Sequence, residues 1–315
     1  MAKKLPFESD KIITQHISES DFSTYFVGFD INDNNESRYR WKELINLLQN
    51  VIVEFAFGHH MDICRTDATS KVCDAAKSIY KIKDFCEVKN IYDKGSHIED
   101  DDISKAHLRR GEFGELILHL LLRDFHKTIP LISKIYFKDS YGVTVHGFDA
   151  VHIQPETKTL WLGESKIYID GKKGVKALIN DIKEHIKRDY LNDEFTIISK
   201  KIKLIDNIPN KEHWINLMNK KTKLSDVLDS VTIPLLCTYS SSNFSNFKEE
   251  SEDFIKSYEK EVRALKEYFD KNHKHPLKTK LNIILILFPV KCKIALVKKL
   301  HKKLHHLQTI EDEEE

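Results

Sequence analysis

Seven of the ten glycines in this 315-residue chain fall between positions 111 and 174 (Gly111, Gly114, Gly142, Gly147, Gly163, Gly171, Gly174), and none follows. Glycine permits tight turns and close backbone approach, so this stretch is where secondary elements must cross at short range. The apolar patterns around it set the fold class. Upstream, Trp41, Leu44, Ile45, Leu48, Val51, Ile52 and Phe55 recur at three- and four-residue spacing within Arg38 to Phe57, which predicts an amphipathic helix ending near Gly58. A second helix is predicted over Lys71 to Lys83, after a short apolar strand around Tyr25 to Phe29. Residues 1–100 thus read as a mostly helical N-terminal region, closed by the polar segment Lys89 to Ser104 with its run Glu99-Asp100-Asp101-Asp102.

A different order begins after that run. The pattern predicts a helix over Ala106 to Phe125, strands over Ile132 to Phe137, Val143 to Ile153 and Thr159 to Ile169, and a long helix over Val175 to Tyr190. Buried strands follow over Val231 to Tyr239 and Leu281 to Phe288, separated by a charged helix over Glu252 to Asp270. Helix, three strands, helix, strand belongs to an α/β or α+β layered sheet, and residues 101–315 are expected to form that domain, closing on a basic C-terminal helix.

Composition excludes several classes. With 50 Lys+Arg against 49 Asp+Glu the formal charge is +1, which rules out a polybasic coating protein and an acidic disordered chain. No apolar run reaches the roughly 18 residues that span a bilayer, so no membrane association is expected. Polar residues rather than an apolar signal core follow Met1 to Pro6, and the five cysteines are dispersed without a CxxC pair; the expected location is the cytoplasm. His59, His60 and Cys64 lack a second ligand pair at zinc spacing and read as a helix-end cluster. No GxxxxGK[ST] run is present, so any ATP-driven step belongs to a partner.

The chemistry concentrates in Thr159-Leu-Trp-Leu-Gly-Glu-Ser-Lys-Ile-Tyr168. Strand alternation puts Leu160, Leu162, Glu164 and Lys166 on one face, and Trp161, Gly163, Ser165 and Ile167 on the other. Asp149 lies in the preceding strand, and an antiparallel hairpin turning near Pro155 and Glu156 would bring Asp149 and Glu164 together. Two carboxylates at a sheet end can hold a hard divalent cation such as Mg²⁺, and a lysine beside them can assist an attacking water. An exposed Glu-x-Lys is ordinarily a solvated ion pair. Here it continues an apolar face, where a charge is costly without a partner or a cation. In the preceding helix, Arg109-Arg-Gly-Glu-Phe-Gly-Glu115 sets Glu112 and Glu115 beside two arginines, which also reads as an ordinary acidic first turn.

An acidic helix, Asp149 in the second strand, and Glu164-Ser-Lys166 in the third together resemble the PD-(D/E)xK, restriction-endonuclease-like core: a mixed sheet flanked by helices. More narrowly, Arg109-Arg-Gly-Glu-Phe-Gly-Glu115, Gly147-Phe-Asp-Ala-Val-His152 and Leu162-Gly-Glu-Ser-Lys-Ile-Tyr168 resemble the HamA nuclease family of the Hachiman anti-phage defence system. The resemblance implies a metal-dependent deoxyribonuclease using Mg²⁺, with Mn²⁺ as an alternative, that acts with and is restrained by a HamB-like superfamily 2 helicase. It makes Asp149 and Glu164 metal ligands, Lys166 the support of the nucleophilic water, and Glu115 the helix carboxylate completing the site. Gly147-Phe148 stands where the motif's name has proline.

DNA contacts are expected from cations near this site: Arg109, Arg110, Lys172, Lys173, Lys176 and Lys183, with Lys187 and Arg188 beyond them. Residues 260–306 hold 13 Lys+Arg and 3 Asp+Glu, a local charge of +10. Their last piece, Ile294 to Leu307, reads as a helix whose apolar stripe could dock on the chain's own core, on DNA or on the helicase. Two other readings compete: a DNA-binding or regulatory subunit with little turnover, and a free-standing restriction endonuclease.

Overall fold

Residues 5–58, 68–79, 111–131, 147–219, 221–275 and 279–309 are described by a computed structural model. Nine strands are formed among them: β1 (Ile13–Ser18), β2 (Phe22–Val27), β3 (Phe29–Ile31), β4 (Ser37–Tyr39), β5 (Ile129–Pro130), β6 (Ala150–Gln154), β7 (Thr159–Tyr168), β8 (Val231–Ser240) and β9 (Asn282–Val290). The helices are α1 (Trp41–Phe57), α2 (Ala68–Ile79), α3 (Glu112–Asp124), α4 (Gly171–His185), α5 (Arg188–Leu204), α6 (Lys211–Leu217), α7 (Leu224–Leu228), α8 (Asn243–Asn246), α9 (Glu252–Asn272) and α10 (Lys293–Thr309). The expected strand at 132–137, the starts of the helix at 106–110 and of the strand at 143–146, the segment 89–104 and the His59, His60, Cys64 group lie outside the described residues; of the expected strand Val143 to Ile153, the described part is extended only from Ala150.

Seven strands form one mixed sheet in the order β1-β2-β9-β8-β7-β6-β5, and β3-β4 is a separate hairpin. Four central strands, β2, β9, β8 and β7, run parallel; β1 on one side and β6 on the other run antiparallel to them, and the edge strand β5 is antiparallel to β6. Parallel strands require covered faces, and the sequence supplies them: Val231 to Tyr239 is buried without interruption. On one face, Gly174 of α4 packs against Cys237, and Glu261 of α9 faces Tyr239. On the other, Leu118 of α3 packs against Gly163, and α1 and α10 lie beside α3. The expectation of a mixed α/β sheet flanked by helices holds. The N-terminal strands β1 and β2 join that same sheet through β9, while α1 and α2 are the helices anticipated there.

Gly163 has a specific task in this sheet. A Cβ there would stand 2.8 Å from Leu118, 3.2 Å from Pro234 and 3.3 Å from Ala150, so only glycine admits all three neighbours. Pro234 has no N–H to give the ladder, and the β7–β8 pairing skips from Trp161↔Thr232 to Glu164↔Leu235. The ladder resumes at Glu164, immediately after the irregular step.

Candidate active site

The antiparallel register Ala150↔Gly163 and Val151↔Leu162 places Asp149, one residue before β6, across from Glu164. Ser165 fixes Asp149: its backbone N–H donates to Oδ2 at 2.8 Å and its hydroxyl at 2.9 Å. Gly114 in the first turn of α3 sits where a Cβ would be 2.9 Å from that hydroxyl, which brings α3 close to the strand. Ser165 thus serves α3 and Asp149, while Glu164 and Lys166 point the other way, towards α4.

Glu164 is only 3% exposed, with Oε1 2.6 Å from His185 Nδ1 on α4. Burial pushes its carboxyl up to about 7; the charge of Asp149 adds to this, and His185 opposes it. Lys166 Nζ lies 2.5 Å from Asp181 Oδ2, one helical turn before His185. Burial works against the Lys166 charge, but Asp181, then Asp149 and Glu164, outweigh it and hold the ammonium above its ordinary range. His185 behaves alike: burial lowers its proton affinity, and Glu164 and Asp181 raise it by more. Its ring is stacked on Tyr190 at 4.5 Å, with Phe148 edge-on to both.

Behind this stack lies a further acid. Glu194 of α5 is 2% exposed, and burial pushes its carboxyl up to about 7. A Cβ on Gly147 would stand 3.0 Å from its Oε2, so the glycine next to Phe148-Asp149 packs closely against Glu194. In front lies a cleft of about 870 Å³ lined by Asp149, Ser165, Lys166, Asp170, Lys173 and Lys293, with Gly111 at its rim.

The structure therefore brings Asp149, Glu164 and Lys166 together. Glu115 is buried in the first turn of α3, on the Ser165 side of β7. Among the described residues no three His, Cys, Asp or Glu side chains converge closely enough to hold a metal ion. Of the expected DNA contacts, Lys173 lines the cleft, and Lys172 lies over the Tyr268 ring at 4.9 Å. Lys176 and Lys183 are exposed on α4; Arg109 and Arg110 lie outside the described residues. Sequence reasoning missed Asp181, His185, Tyr190, Glu194 and Lys293. The four-residue spacing of Asp181 and His185 on a helix after the Glu-x-Lys strand was a usable signal for that pair.

The family model described as HamA matches residues 6–304, nearly the whole chain. No curated protein matches it. No helix among the described residues is long and apolar enough to cross a membrane.

Proposed function

Because the chain belongs to the HamA family, and so to the Hachiman defence system, we propose that it is a metal-dependent deoxyribonuclease with a PD-(D/E)xK-like core. The observation that carries this reading is that Asp149 and Lys166 line one cleft while the buried Glu164 lies directly across from Asp149 in the β6–β7 register. Asp149 and Glu164 offer hard oxygen donors, and Mg²⁺ is commonly held by one or two carboxylates with water filling its other positions. The buried Glu164 carboxylate, raised by its own burial and by Asp149, is a group that an added cation would stabilise in its charged form. Bound there, Mg²⁺ or Mn²⁺ would polarise a phosphoryl oxygen and make water a better nucleophile. Lys166, kept charged, is placed to orient the attacking water and to offset negative charge on the scissile phosphate. Ser165 orients Asp149, and His185 orients Glu164. Glu115 would complete the site from α3, and Lys173 faces the cleft where a backbone phosphate would lie.

The test is DNA degradation by the purified chain in Mg²⁺ or Mn²⁺, comparing wild type with Asp149→Asn, Glu164→Gln and Lys166→Ala. Loss in all three with the fold intact supports the site; full activity in all three refutes it.

A second reading draws on the pairing of Lys166 with Asp181 and of Glu164 with His185, a site closed on its own side chains. Under it the chain is a DNA-binding or regulatory subunit with little turnover, and binds DNA in a salt-sensitive way without cleaving it, even with helicase and ATP present. The same closed pairing suits an effector restrained by a superfamily 2 helicase. Equal DNA degradation by the free chain and by the resting complex would count against restraint. Site-specific fragments produced without a helicase would instead favour a restriction endonuclease.

A further inference from the structure

A second concavity, of about 690 Å³, lies between α1 and α10. Trp41 and Lys42 line it from α1, and Lys299, Lys302, Lys303 and His306 from α10; no Asp or Glu lines it. The helix α10 carries five lysines and no acid, and it buries Leu296, Val297, Leu300, Leu304 and Leu307 against the core. Its apolar stripe is thereby consumed within the chain, and its basic stripe is left facing the groove. Lys299, Lys302, Lys303 and His306 follow each other at i, i+3, i+4 and i+7, one row along the helix. Lys42, Lys299 and Lys302 have no ion-pair partner among the described residues, and Lys303 reaches only Asn46, at 3.4 Å. Arg38, the remaining strong cation of the lining, is already satisfied by Glu43 and Asp30.

The same helix begins at the catalytic cleft, where Lys293 is part of the lining. From Lys293 to His306 the helix advances about 20 Å, the length of about six base-pair steps of duplex DNA. Lys293 itself is buried, but Lys173 is exposed in the cleft lining and Lys299 and Lys302 are exposed at the groove, so cations at both stations fit a polyanion that runs from cleft to groove. An acidic peptide would match the groove's charge equally, but it would have no reason to share a helix with the cleft.

We propose that the groove between α1 and α10 is a second nucleic-acid contact, gripping the sugar-phosphate backbone of the substrate as it leaves the cleft. The assignment rests on reading the cleft as the DNA site. It gives this face a function separate from hydrolysis: sequence-independent grip.

The test uses the full chain in EDTA, so that binding is read without cleavage, with fluorescently labelled duplex DNA followed by anisotropy across a salt titration. The combined variant Lys299→Gln, Lys302→Gln, Lys303→Gln is expected to raise Kd at least about tenfold at low salt, and to reduce the slope of log K against log salt by about 2 to 3. Lys42→Gln, on the opposite wall, should reduce that slope by about 1. A hairpin with a stem of about five base pairs, too short to reach from cleft to groove, should lose less affinity in the combined variant than the long duplex does, because it can still occupy the cleft alone. Unchanged Kd and slope on the long duplex, or equal loss on hairpin and long duplex, overturns the proposal. So does a variant that keeps wild-type DNA binding while losing a polyglutamate peptide that wild type holds, which would assign the groove to an acidic polypeptide. Melting curves of each variant confirm the fold. A failure of the nuclease reading would appear as unchanged cleavage in the Asp149 and Glu164 variants, and it leaves this binding result readable.

Discussion

Burial disfavours the charge on Glu164, and this gives the metal-free chain a definite pH response. Its folded carboxyl titrates at about 7 against 4.5 for the free side chain, so between those values the folded chain binds the proton more tightly. The stability this contributes is fully present below about pH 4.5 and is lost as pH rises through about 7. In EDTA, Glu164→Gln should be more resistant to urea than wild type at about pH 8, with the advantage shrinking towards about pH 5. Adding Mg²⁺ at the higher pH should restore the wild type and leave Asp149→Asn and Glu164→Gln unmoved; a thermal shift in all three would argue against the site. Glycines give a second contrast. A Cβ on Gly174 would stand 2.5 Å from the buried Cys237 sulfur, whereas one on Gly111 would meet nothing within 4 Å. Gly174→Ala should cost about 1–3 kcal/mol in denaturant unfolding, and Gly111→Ala should stay within about 0.5 kcal/mol. The carboxylates and the lysine of β7 were legible because a strand's period of two sorts faces without further information. Glu194 was not: it lies on a separate helix and packs against Gly147, a contact that no spacing encodes.

Among the elements, α1 and α3 are tied by a buried charge cluster. Glu54 of α1 accepts hydrogen bonds from Arg123 of α3 and lies 3.1 Å from His119 Nε2, while Arg123 also donates to the Thr128 carbonyl. Removing one partner of a buried pair strands the other charge, so Glu54→Ala should cost about 3–5 kcal/mol. Arg263→Ala, which breaks the exposed pair with Glu19, should cost no more than about 1 kcal/mol. Chemical denaturation of both variants would separate the two cases, and equal costs would contradict the burial argument. Most helices were readable from apolar periodicity, α1, α9 and α10 within a few residues. The expected helix to Tyr190 instead ends at His185, and α5 starts anew at Arg188, because Lys187 takes an extended conformation with no glycine or proline to announce it. β1 escaped notice for a related reason: a bulge between Gln15 and Ile17 leaves only Ile13 and Ile17 buried, too few to mark alternation.

Across the whole molecule, the order β1-β2-β9 makes the first strands neighbours of the last one. A polar, acidic run near residue 100 looks like a boundary in the sequence, yet the hydrogen-bonded sheet passes between the two regions without a seam. Pairing between distant strands leaves no local trace, which is why it could not be read beforehand. A fragment starting at residue 101 would leave the apolar Leu285 to Leu287 edge of β9 unpaired, since Phe22 to Thr24 are its partners. Such an edge invites aggregation, so the fragment should partition into the insoluble fraction where the full chain stays soluble. A soluble, cooperatively unfolding fragment would show that the region from residue 101 folds alone.

The Phe22↔Leu285 pairing also sets a clock on biosynthesis. At about 5–20 residues per second, a ribosome makes the partner of β2 roughly 13 to 50 s after β2 itself. For roughly the last 6 to 24 s of that interval Glu164 and Lys166 have already been polymerised, but the central parallel strands that frame them are incomplete. A nascent chain therefore carries the chemical groups of its cleft well before it carries the cleft.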